Sequence, residues 1–234
     1  MSPARLASDG SSLEIALCGE RVQLLAARAA YWARGRALFI ADVHLGKSAS
    51  FRSGGVPVPR GSTAGDLARL SAVIESTSAA HLFVLGDFIH AASGRVSALN
   101  DAFNAWRERH RDLAITLVRG NHDSHAGDPP ASWNVPVVTE PHPLAPFLLC
   151  HMPAAPPSGY ALCGHLHPGT WVSSGIDSAR LPCFVVGRRR MVLPAFGSFT
   201  GLAIVAPRDD QQLVAIGGRR LFVVPNTTRN PSAA

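Results

Sequence analysis

The sequence predicts an α/β fold, with a strand–helix–strand–helix–strand half followed by a strand-rich half. Three observations carry this. Short apolar runs of strand length stop at polar loops, amphipathic stretches of helical period separate the first runs, and beyond Val135 the runs are broken by Pro and Gly with no long helix. The first run, residues 37–41, ends at Asp42. The second, 81–85, ends at Gly86-Asp87, and the third, 113–118, ends at Gly120-Asn121-His122-Asp123. Continuous apolar runs of this kind suit strands buried on both faces. Between them, Leu67, Leu70, Val73 and Ile74 share one helical face, with Ser62 or Thr63 suited to cap it. Val96, Leu99, Phe103 and Trp106 mark a second face. The later strands are expected at 147–150, 160–163, 184–186, 191–193, 202–205, 213–216 and 221–224.

A length of 234 residues suits one domain over 1–225 with a flexible tail over 226–234. Hydrophobic content of 47% and charged content of 16% exclude a disordered chain. No apolar run approaches the ~18 residues of a membrane span. Residues 1–10 lack the apolar segment of a signal peptide. Cys18, Cys150, Cys163 and Cys183 form no CxxC pair and read as buried thiols of a reducing compartment, so the cytoplasm is expected. The formal charge is +6, and Lys47 is the only lysine. A basic balance alone does not establish nucleic acid as a partner.

The strand ends carry the chemistry. In open α/β sheets, ligands bind beyond the carboxyl ends of the strands. There this chain places Asp42-x-His44, Gly86-Asp87, Gly120-Asn121-His122-Asp123, His151 and Gly164-His165-Leu166-His167. Each piece alone has a bland reading: a polar loop pair, a turn, or a satisfied structural histidine. Five in order, each just after an apolar run, do not fit chance. Carboxylate, imidazole and carboxamide suit Mn²⁺, Fe or Zn²⁺ better than Mg²⁺ alone or a thiolate site. There are more donors than one ion needs, and one Asp can bridge two.

This series resembles the signature of the calcineurin-like metallophosphoesterase superfamily: D-x-H, G-D, G-N-H-D/E, H and G-H-x-H in that order. The resemblance implies a four-layer sandwich, two mixed β-sheets flanked by helices, with two divalent metal ions at the strand ends. One ion would be held by Asp42, His44, Asp87 and His167. The other would be held by Asp87, Asn121, His151 and His165, with Asp87 as the bridge. The implied chemistry is phosphoester hydrolysis by a metal-activated hydroxide. His122 is the implied general acid or charge stabiliser. Asp123 is read as bracing its loop.

Three residues after Asp87 stands His90, where the phosphoprotein phosphatases carry Asp. A His there resembles the nuclease branch, in which it lies beside the scissile phosphate as a second catalytic imidazole. The stretch from Asp42 to Lys47, Phe51-Arg52, the segment from Gly164 to Pro168, that from Arg180 to Phe184 and that from Leu193 to Gly201 are similar to the bacterial ligase-associated DNA damage response endonucleases. That resemblance covers nearly the whole chain. It implies manganese-dependent cleavage of DNA in repair, and functional association with a DNA ligase, a helicase and an exonuclease-like protein. So short a chain leaves little room for a capping domain, which suits single-stranded or flexible DNA. The alternative is a phosphatase or phosphodiesterase for a small nucleotide or phosphoprotein. A non-catalytic binding module is a third reading, against which every motif ligand is present. Lys47 and Arg52 are candidate DNA phosphate contacts, or else solvated or structurally paired charges. The run Arg188, Arg189 and Arg190 reads as exposed hairpin charge or as a DNA backbone contact. Ser124 and His125 receive no role. Trp32, Trp106, Trp133 and Trp171 are scattered, Trp106 is expected in the core, and no aromatic stacking platform is evident.

Overall fold

In the computed structural model, which describes residues 5–7, 9–58, 61–174 and 177–225, the apolar runs form two mixed sheets. The tail expected at 226–234 lies outside the described residues. The first sheet has eight strands in chain order: β1 (Arg5–Leu6), β2 (Ser12–Leu17), β3 (Glu20–Leu25), β4 (Ala29–Trp32), β5 (Ala37–Ile40), β6 (His81–Leu85), β7 (Ala114–Val118) and β8 (Val137–Val138). From β1 to β5 it is an antiparallel meander, and from β5 to β8 it is parallel. Parallel neighbours need crossover connections, which the helices supply. Helices α1 (Lys47–Ser53) and α2 (Ser62–Thr77) link β5 to β6, α3 (Ser97–Arg109) links β6 to β7, and the short α4 (Asn121–Ala126) follows β7.

The second sheet holds β9 (His142–Leu144), β10 (Phe147–Leu149), β11 (Tyr160–Cys163), β12 (Pro168–Ser174), β13 (Asp177–Gly187), β14 (Arg190–Val192), β15 (Ala203–Ile204), β16 (Gln211–Gly217) and β17 (Arg220–Val224). Its backbone order is β15-β12-β13-β14-β11-β10-β9, with β16 and β17 added through β13. In β10, β11 and β14 the chain runs parallel. No helix among the described residues is long and apolar enough to cross a membrane.

Side-chain alternation assigns the layers. Along β5, Phe39 joins Trp32, Phe83, Phe147, Leu162 and Phe184 in the core between the two sheets. Leu38 and Ile40 face the other way, onto Leu67, Leu70, Val73, Phe103 and Trp106 from α2 and α3. This is the α/β metallophosphoesterase sandwich that the motifs imply. Three local expectations need correction. Gly61, in a left-handed conformation, is the residue before α2, so neither Ser62 nor Thr63 caps it, and Ser62 Oγ donates instead to Ser48 Oγ at 3.0 Å. Val96 precedes α3 and is 40% exposed, so of the four predicted residues Leu99, Phe103 and Trp106 lie on the buried face. Cys18 lies exposed after β2, whereas Cys150, Cys163 and Cys183 are buried and free.

The outer core centres on a ring cluster. Phe103 stacks on Trp133 with centroids 4.0 Å apart, and Phe88 meets Phe103 edge-on at 5.6 Å. Phe88 is the residue after Asp87, so this cluster also supports the site. Phe103→Ala is expected to cost about 3–5 kcal/mol, the usual range for emptying a buried phenyl site, measured as a lowered urea midpoint with an unchanged slope.

Candidate metal centre

Every motif group sits at the carboxyl end of a parallel strand. Asp42 and His44 follow β5, Gly86-Asp87 follows β6, and Asn121 opens α4 after β7. From the other sheet, His151 follows β10, while His165 and His167 follow β11. An Ala41–Ala195 bridge and the Gly197 N–H donating to the Asp42 carbonyl at 3.2 Å tie the sheets together at this end.

The local backbone is strained. Asp42, His44, Asp87, His165 and His167 all have positive φ, between 47° and 73°. Asp and His tolerate this region better than most residues, yet such conformations cost of order 1–3 kcal/mol each and persist only where the surroundings impose them. The result is a set of turns that aim five side chains inward. Two glycines make room. A Cβ on Gly86, itself at φ 79°, would lie 2.1 Å from His151 Nδ1. A Cβ on Gly120 would lie 2.3 Å from Asp87 Oδ1.

The donors converge. Asp42, His44 and His167 form one group whose ligand atoms all lie within 4.8 Å of one another, and Asp87, His151 and His165 form a second. Asp42 and Asp87 are at most 2% exposed. Among the described residues, every side-chain nitrogen within ion-pairing distance of them is a histidine nitrogen. The His165 N–H donates to Asp42 Oδ2 at 2.9 Å, and the His122 N–H donates to Asp87 Oδ1 at 2.9 Å.

The lone pairs show what the site fits. His151 Nδ1–H donates to the Leu85 carbonyl at 3.0 Å, which turns Nε2 toward the other donors. That Nε2 lies 2.8 Å from Asn121 Oδ1 and 3.1 Å from His165 Nδ1. Likewise, His44 Nε2 and His167 Nε2 lie 3.2 Å apart. Nitrogen and oxygen atoms gathered this closely around buried carboxylates make a donor set that borderline divalent cations with N/O preference fit. Burial, then the charges of His167, Lys47, His122 and His90, push the His44 imidazole down to about 2. It is therefore held neutral, as a ligand must be. Burial also lowers His165.

His90 and His122 adjoin this centre. His90 Nδ1 lies 3.2 Å from His44 Nδ1, and the two rings of His90 and His122 stack 5.0 Å apart. His122 Nδ1–H donates to the His90 carbonyl at 2.9 Å. Burial, Lys47 and His122 push His90 down to about 4. Lys47, at the start of α1, is half-buried; burial lowers its ammonium and the Asp87 carboxylate opposes that shift. Arg52 lies in the last turn of α1. Ser124 Oγ and His125 Nδ1 donate to carbonyls one turn back, those of Gly120 and Asn121, so both are absorbed by α4 itself. Arg188 and Arg189 occupy the turn between β13 and β14.

Several supports were not legible in the motifs. Glu140 Oε2 accepts the N–H groups of His151 and Met152 at 2.6 and 2.8 Å. Asp66 accepts the Ser198 N–H at 3.1 Å, fixing the loop that pairs with Asp42. Phe51 and Phe199 meet edge-on at 5.6 Å, beside His90. A cleft of about 250 Å³ adjoins the centre and is lined by Arg119, Asn121, Glu140, His151 and Met152. A larger cavity of about 400 Å³, lined by Arg36, Arg109 and Asp112, contains no motif residue.

Fold and donor set together define a metal-dependent phosphoesterase. Residues 35–168 match the profile of the calcineurin-like phosphoesterases, and the chain belongs to that family. It is similar to a solved structure, the nuclease MPE of Pseudomonas putida. The two share 39% identity, the alignment covers 91% of this chain and 100% of that one, and the TM-score is 0.80. The E. coli phosphoesterase Yfce aligns over 83% of this chain and 94% of its own, but at 15% identity and a TM-score of 0.36, too low to carry an argument. No curated protein sequence matches the chain.

Gly86→Ala is expected to displace His151 and to lower bound metal and activity together. Gly218, at φ 60° with open space around it, gives the control. Gly218→Ala should incur only backbone strain and stay active. Metal content by mass spectrometry of the two purified variants checks this.

Proposed function

We propose that the protein is a two-metal phosphodiesterase that cleaves DNA, single-stranded or flexible, in repair, with manganese as its metal. The observation that carries this is the convergence of seven N and O donors from two sheets around two buried carboxylates. The nuclease described for the relative with 39% identity supports the choice of a nucleic-acid substrate.

In this reading Asp42, His44, Asp87 and His167 would hold one ion and Asp87, Asn121, His151 and His165 would hold the other. When bound, the ions supply Lewis acidity toward a phosphate and a water activated near neutral pH. The protein's own groups do the rest. With His44 Nε2 turned to the metal position, its Nδ1–H donates to His90 Nδ1. His90 then presents Nε2–H as a fixed donor for a phosphate oxygen. The Nδ1–H of His122 is taken by the His90 carbonyl, so Nε2 is the atom that can give a proton to the departing oxygen. Lys47, on the same side, adds charge for the phosphate. Asp123 stays in a supporting role. It accepts the N–H groups of Phe88, Ile89 and Gly120 at 2.9–3.0 Å and is buried away from substrate.

Circular single-stranded DNA with manganese tests the reading directly, beside aryl phosphate mono- and diesters. Nicking of the circle supports it, whereas monoester turnover without nicking overturns it in favour of a phosphatase. Asp87→Ala should lose metal and activity together. His122→Ala should keep its metal and turn over roughly 10²–10⁴-fold more slowly, the usual worth of a positioned acid. Metal loss in the His122 variant would make that residue a ligand.

A further inference from the structure

The aromatic pair beside the metal centre has no part in the core and none in the reaction described above. Phe51 is 36% exposed and Phe199 is 38% exposed. Phe51 lies nearly parallel to the His90 imidazole, with an interplanar angle of 16° and centroids 6.2 Å apart. His90 is in turn nearly parallel to His122, at 24°. Three rings of similar orientation therefore lead from the reacting position out to solvent. Phe199 closes one side, standing edge-on to Phe51 at 86°.

Both phenyls are placed by elements that also build the site. Phe51 is four residues after Lys47 on α1, so the cation and the ring share one helix face. Phe199 follows Gly197, whose N–H donates to the Asp42 carbonyl, and Ser198, whose N–H donates to Asp66 Oδ1 at 3.1 Å. The Thr200 hydroxyl donates back to the Gly197 carbonyl at 3.0 Å. Exposed aromatic faces held this firmly next to an anion-binding centre suit a ligand that joins a flat apolar ring to a phosphate.

We propose that Phe51 and Phe199 form a stacking platform for an unpaired nucleobase next to the scissile phosphate. This rests on the nuclease reading of the same site and sharpens its substrate class. A base inside a duplex has both faces covered by its neighbours, whereas an unpaired base offers a free face to a phenyl ring. The platform thus selects single-stranded, flapped or looped DNA. It tolerates any sequence, because every base has a π-face. Charge supports the same occupant, since Lys47 and the metal position draw the phosphate to which the base is tethered.

The test uses end-labelled single-stranded oligonucleotides with manganese, in which an abasic residue is moved along the strand. In the wild-type protein, cleavage beside the abasic residue should slow about ten-fold relative to the intact strand, the scale of losing one base stack. In the Phe51→Ala/Phe199→Ala double variant, intact and abasic strands should be cut at nearly equal rates. Because the ratio is taken within one protein, any general slowing from a disturbed His90 cancels. Should the double variant be inactive, Phe199→Ala carries the test, since its ring touches Phe51 and not His90. Tyr at both positions should restore the wild-type ratio. A double variant that keeps the wild-type ratio overturns the platform while leaving the nuclease reading intact. A wild-type protein that hydrolyses aryl phosphodiesters but cuts no DNA overturns both.

Discussion

Two carboxylates buried among imidazoles are the constraint around which the rest is arranged. Asp42 and Asp87 are almost fully removed from water, and the nitrogens that pair with them come from histidines. An unpaired carboxylate in such a place costs several kcal/mol. Backbone N–H groups of His165 and His122 relieve part of that cost. They do not neutralise the charge. The His44 imidazole does not either, because burial pushes it down to about 2 and so keeps it neutral. The fold thus gathers imidazole and carboxylate donors into a buried cage that a cation would complete.

Much of this cage was legible as residue type and order, because its members lie at predictable places. A parallel strand must end before its crossover, and the first residues past the end are free to carry polar groups. That is why the apolar runs at 81–85 and 160–163 match β6 and β11 in both bounds. The glycines of the motifs have an equally local cause, since a side chain at Gly86 or Gly120 would occupy the place of His151 or Asp87. What stayed hidden was long-range. The first four strands form an antiparallel meander that their modest alternation did not advertise, although Leu13, Ile15 and Leu17 do alternate inward along β2. The Phe51–Phe199 pair unites a helix after β5 with a loop after β14. No periodicity or spacing in either segment carries that meeting.

Behind the converging donors stands a second set of carboxylates with a different task. Asp123 ties the turn after β6 to the start of α4 by accepting three backbone N–H groups. Glu140 accepts the N–H of His151, and Asp66 accepts that of Ser198. Asp123 and Glu140 are engaged by peptide groups, and Asp66 also pairs with the Arg69 guanidinium at 2.9 Å. The distinction is physical: a carboxylate oxygen that already accepts two N–H groups has no lone pair left for a metal or a substrate. It explains why the chain carries acidic residues near the site that the metal motifs do not count.

The division of donors between sheets has a further consequence. Asp42, His44, Asp87 and Asn121 belong to the first sheet, whereas His151, His165 and His167 belong to the second. Either half alone is incomplete, so the site exists only when the inner core of Trp32, Phe39, Phe147 and Phe184 holds the sheets in register. The left-handed turns at five of the seven donors raise the local energy, and the inter-sheet packing and the Ala41–Ala195 bridge oppose their relaxation. A cation bound across the seam would act with that packing, because it binds the assembled pair of sheets and not their separated parts. Catalytic preorganisation and fold stability are therefore coupled here through one interface rather than adjusted independently.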